Sequence, residues 1–74
     1  STAKRLRRAR RSTGLSAGGL SRKAGLSDGY VALLEAGTRS IGLRALTALA
    51  PLLGVSVEWL LSGRGEGPTA KKAA

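Results

Sequence analysis

Apolar residues recur along this chain at helical intervals. Ala3, Leu6 and Ala9, with Thr13 one turn on, form a narrow inner stripe that predicts a first helix over 2–13. Gly14 suits its end. Ser16 is placed to cap a short second helix with Leu20 and Ala24 inside, and Gly25 lets the chain turn sharply. Leu26 reads as a buried turn residue and Ser27 as the cap of a third helix over 27–36, with Val31 and Leu34 facing inward. Gly37 closes it, and 38–41 form a loop. Leu43, Leu46, Leu49, Ala50 and Leu53 give the longest amphipathic pattern, in which Pro51 predicts a kink or an early stop before Gly54. Ser56 caps a fifth helix that Trp59, Leu60 and Leu61 seal onto the core. No alternating pattern predicts a strand. The expected fold is all-α, a compact five-helix bundle over 1–62, followed by a flexible basic tail or linker stub over 63–74.

Seventy-four residues suffice for one small domain. Thirteen Lys and Arg against four acids leave a net charge of +9, which calls for a polyanionic partner, nucleic acid before an anionic membrane. With no Cys and no His, disulfides, thiol nucleophiles, imidazole bases and the usual zinc sites are excluded. The acids Asp28, Glu35, Glu58 and Glu66 are too scattered for a carboxylate metal cage. No enzyme, metal or cofactor is therefore expected. No apolar run approaches the ~20 residues of a spanning helix. The basic stretch 4–11 is followed by Ser12, Thr13 and Gly14 rather than the apolar block of a secretory signal. A cytoplasmic setting is expected.

The unit from Ser16 to Gly37, two short helices about a glycine turn, has the arrangement of a helix-turn-helix. Here the chain resembles the phage repressor and Cro type (XRE-like) of helix-turn-helix family. The residues that carry the resemblance are Arg10, Gly14-Leu15-Ser16, Leu20, Gly25-Leu26-Ser27, Tyr30-Val31 and Leu34-Glu35-Ala36-Gly37. Arg39, Leu43, Leu46, Leu49-Ala50, Leu53-Gly54-Val55-Ser56 and Val57-Glu58-Trp59-Leu60-Leu61-Ser62-Gly63 continue it.

The resemblance implies a regulator of transcription, a repressor that occupies double-stranded operator DNA as a homodimer in a bacterial or phage-encoded, nucleoid-associated setting. It places Ser27, Asp28, Gly29, Ala32 and Leu33 toward the bases of the major groove. Ser16 and Ala17 fall where the family grips phosphate, Thr38, Arg39 and Ser40 on a backbone-touching loop, and Arg44 beside it. Arg10 and Glu35 occupy the positions of an internal ion pair. Lys4, Arg5, Arg7, Arg8 and Arg11 on the first helix, with Arg22, Lys23 and Tyr30, complete the candidate phosphate contacts.

Departures from the family pattern are concentrated where DNA would be met. Ala17 stands where relatives commonly have Gln, and Gly18 and Gly19 replace helix-favouring residues. The base-facing positions hold no Arg, Lys, Asn or Gln, leaving Asp28 to accept from a cytosine amino group and Ala32 or Leu33 to touch a thymine methyl. Simpler roles stand beside the functional ones: a solvated face for the first helix, a dipole partner for Asp28, a packing role for Tyr30 and a core position for Trp59. Two further functions compete with the operator reading. One is a protein-interaction module using Ala32 and Leu33, the other nonspecific DNA coating by charge.

Overall fold

Five helices carry the chain in the computed structural model, which describes residues 1–38, 40–65 and 67–68. The first, α1 (Thr2–Thr13), starts where the Ser1 hydroxyl accepts from the Lys4 N–H at 3.3 Å, and it buries Leu6 and Ala9 completely. Thr13 does not extend the inner stripe. It is exposed at the last turn, where its hydroxyl donates to the Arg10 carbonyl and accepts from the Leu15 N–H. At Gly14 the backbone turns left-handed, a conformation open to glycine at little steric cost.

The second helix, α2 (Ala17–Lys23), is capped by Ser16, whose hydroxyl accepts from the Gly19 N–H at 3.0 Å. The third, α3 (Tyr30–Ala36), begins three residues later than the serine-capped start expected at Ser27. Ser27 caps nothing, because its carbonyl accepts from the Tyr30 N–H in a tight turn and Gly29 takes the cap position without a side-chain bond.

In α4 (Leu43–Leu53) the buried stripe is Ala45, Leu46, Leu49, Ala50 and Leu53. Leu43 is 65% exposed, because at ~100° per residue it lies about a quarter-turn from the stripe's centre, in the first turn. The helix passes through Pro51 and ends two residues later, so there is no early stop. Both Pro51 and Thr47, whose carbonyl loses its helical donor there, lie on the exposed side, where water can replace the missing bond. In α5 (Val57–Ser62), capped by Ser56, Trp59 and Leu60 are buried. Leu61 is 51% exposed and does not help to seal the helix down.

The body measures 32 × 22 × 18 Å. Helix α1 crosses the centre and packs on α3, α4 and α5, while α2 packs on α3 and α4. Leu6, Leu20, Val31, Leu34, Leu46, Leu49 and Leu60 fill the space between them. Beyond α5 the chain folds back on the core. Gly67 lies against the Trp59 indole so closely that a Cβ there would come within 2.7 Å of Nε1, and Gly67 and Pro68 are half-buried. Residues 69–74, the rest of the expected tail, lie outside the described residues, as do Arg39 and Glu66. Among the described residues no helix is long and apolar enough to cross a membrane.

Candidate nucleic-acid interface

The angle between α2 and α3 is pinned by Ser21, the one polar residue among those described that is wholly buried. Its hydroxyl donates to the Ala17 carbonyl at 2.9 Å and accepts from the Val31 N–H at 3.0 Å, while its carbonyl accepts from Leu26 N–H at 2.8 Å. One residue thus joins the start of α2 and the first turn of α3 through its hydroxyl and the turn between them through its carbonyl. It also takes an N–H that would lack a helical partner so near the helix start. Gly25, at φ 76°, lets the chain reverse between the two helices. Sequence patterning passed over Ser21 because it is polar. The signal was its place in Ala17, Leu20, Ser21, Ala24, a helical stripe at i, i+3, i+4 and i+7.

With Val31 and Leu34 wholly buried, the opposite side of α3 faces solvent. Gly29, Ala32, Leu33 and Ala36 are all exposed there, Leu33 to 44%. Ser27 and Asp28, in the turn ahead of the helix, are exposed as well. Asp28 faces Arg22 across that turn at 3.4 Å. Both side chains are well solvated, so the pair adds little to stability, but it lowers the negative charge presented beside α3.

A third side of α3 is held to α1. Glu35 receives two hydrogen bonds from Arg10, Nε at 2.6 Å and Nη2 at 2.9 Å, and Arg10 Nη1 donates to the Leu15 carbonyl at 2.9 Å. The Glu35 side chain is only 4% exposed and that of Arg10 15%. The bonds to Glu35 raise the affinity of the Arg10 guanidinium for its proton, outweighing the opposing effect of burial. Arg7 approaches the same carboxylate at 3.5 Å from a half-exposed position.

The candidate phosphate contacts divide into two groups. Lys4, Arg7, Arg8 and Arg11 are exposed at i, i+3, i+4 and i+7, a single stripe on the side of α1 away from Leu6 and Ala9. Arg22, Lys23 and Arg44 are exposed too. Arg5 is not part of this set. Its Nε donates to the Leu60 carbonyl at 3.0 Å and its Nη2 to the Leu61 carbonyl at 2.7 Å, tying α1 to the end of α5, where a cation also suits the helix dipole. Ser16 is exposed with its oxygen engaged as a cap, Ala17 and Tyr30 are half-buried, and the Thr38 hydroxyl donates to the Leu33 carbonyl. Ser40 is exposed and Arg39 lies outside the described residues.

A protein-family model described as helix-turn-helix matches residues 6–60, the span from the first buried residue of α1 to the last of α5. No curated protein matches the chain. No solved structure matches it either.

Proposed function

The chain belongs to the XRE-type helix-turn-helix family of DNA-binding regulators, and from that premise we propose that it is a repressor that acts by occupying operator DNA. In this reading α3, with the turn before it, enters the major groove. Ser27, Asp28, Gly29, Ala32 and Leu33 then meet base edges. Phosphates are met by Ser16 and Ala17 at the start of α2, by Arg22, Lys23 and Tyr30, and by Thr38, Arg39, Ser40 and Arg44. The exposed cations of α1 extend that contact along the backbone. Arg5 and Arg10 serve the fold.

The observation that carries this reading is the outward side of α3, which nothing else among the described residues covers, on a chain of net charge +9. Residues 1–62 act as the DNA-binding unit and 63–74 as a basic tail or linker stub, whose Gly67 packs on Trp59. Two copies bind as a dimer, with half-sites about 34 Å apart on one face of the duplex. A body 32 Å in its longest dimension fits that spacing without overlap.

A binding titration on duplex DNA across a salt series tests the reading. Affinity is expected to fall steeply as salt rises, since each phosphate neutralised releases counterions. Affinity indifferent to salt, or none at low salt, contradicts it. The exposed Leu33 also favours a second reading, in which α3 docks on a protein partner. Retention of a partner by the wild type and its loss with Leu33→Asp, in a chain that ignores DNA, would select that alternative.

A further inference from the structure

Bases in the major groove are told apart by hydrogen bonds to their edges or by apolar contact with the thymine methyl. Along the outward side of α3 the first means is missing. Gly29, Ala32, Leu33 and Ala36 form one contiguous surface at i, i+3, i+4 and i+7, and none has a side chain that donates or accepts a hydrogen bond. Of the polar groups at its two ends, Asp28 faces Arg22 at 3.4 Å and the Thr38 hydroxyl donates to the Leu33 carbonyl at 3.2 Å, which leaves the exposed Ser27 hydroxyl in the turn. What the helix does offer is Leu33, a large apolar side chain 44% exposed, flanked by the small side chains of Ala32 and Ala36. The exposed cations of the same domain complement a polyanion, not the apolar face of another protein.

We propose that α3 reads pyrimidine C5-methyl groups, those of thymine first, with Leu33 as the principal contact and Ala32 beside it. This rests on the reading that α3 enters the major groove and names what it recognises there. Because 5-methylcytosine carries its methyl at the same ring carbon, the surface responds to that base as well. Burial of each methyl against Leu33 and Ala32 gives a preference of about fourfold.

The test starts from a duplex that the 74-residue chain selects out of a random library. That duplex is then remade in three forms: uracil in place of thymine, cytosine·guanine in place of the selected thymine·adenine pairs, and 5-methylcytosine·guanine at those pairs. A scrambled duplex with and without the thymine-to-uracil change controls for altered DNA stiffness. The expected result is a loss of about fourfold per contacted methyl on going to uracil, and tighter binding to 5-methylcytosine than to cytosine by a similar factor. Both differences should shrink sharply in Leu33→Ala, a substitution at an exposed position whose thermal unfolding should match the wild type. Equal binding of thymine and uracil duplexes overturns the proposal, as does a methyl effect that Leu33→Ala leaves intact or a selection that yields no preferred site. If salt-dependent binding persists in those cases, only the methyl reading falls. Absence of any duplex binding at low salt rejects the major-groove reading together with it.

Discussion

Ser21 shows how much of a helix-turn-helix can depend on one small side chain. Its hydroxyl has two partners in two helices, and removing it leaves the buried Val31 N–H without an acceptor. Such a loss costs about 1–3 kcal/mol. Ser21→Ala is therefore expected to lower the melting temperature by roughly 4–8 °C for each kcal/mol lost. Thermal denaturation followed by circular dichroism checks this, and an unchanged midpoint would show that the hydroxyl is dispensable. Ser21 is also where residue-by-residue reading of the sequence falls short. Leu6, Leu20, Val31 and Leu34 declare themselves as core by type and spacing, whereas a buried serine has the look of a surface residue until its partners are known. Thr13, Leu43 and Leu61 fail in the opposite direction. Each has the right spacing or type to face inward, and each stands at a helix end where the neighbouring chain does not cover it.

Helices are legible here because their boundaries are written in serines and glycines. Ser16 and Ser56 cap where they are expected to, and Gly14, Gly37, Gly54 and Gly63 all close helices in left-handed conformations. The start of α3 was not legible, since Ser27 has a cap's sequence signature and its carbonyl is taken by a turn. Within α2 the two glycines differ in a way only packing reveals. A Cβ at Gly18 would meet nothing closer than Arg22 Nη1 at 3.5 Å, while one at Gly19 would press on the capping Ser16 hydroxyl at 3.1 Å. Gly18→Ala is thus expected to stabilise the domain by roughly 0.5–1 kcal/mol, the gain in helix propensity. Gly19→Ala should gain less, because its cap must shift. Chemical denaturation of both variants checks the order, and a Gly19→Ala gain equal to or above that of Gly18→Ala would contradict it.

Over the whole molecule, charge divides between holding the fold and facing solvent. The excess of arginine and lysine was plain in the sequence, and so was the polyanionic partner it calls for. Its division was only half legible: Arg10 and Glu35 could be matched by family resemblance, whereas Arg5 clasps the end of α5 across 55 residues of chain, a contact no local pattern announces. The two kinds of cation should separate experimentally. Arg5→Ala is expected to lower thermal stability and leave the salt dependence of DNA binding nearly unchanged. Arg8→Ala should leave stability unchanged and make the slope of log affinity against log salt shallower by about one. Parallel melting and titration series on the two variants check this, and interchanged effects would mean that the roles have been assigned the wrong way round.

The central claim, that α3 and the turn before it form the surface that meets DNA, is tested most directly by mapping backbone amides of the isotopically labelled chain during titration with a short duplex. The largest shifts are expected at 27–33, at the start of α2 and at 38–44, with α5 nearly silent. Shifts confined to α4 and α5, or to the outer side of α1 with 27–33 unmoved, would contradict it.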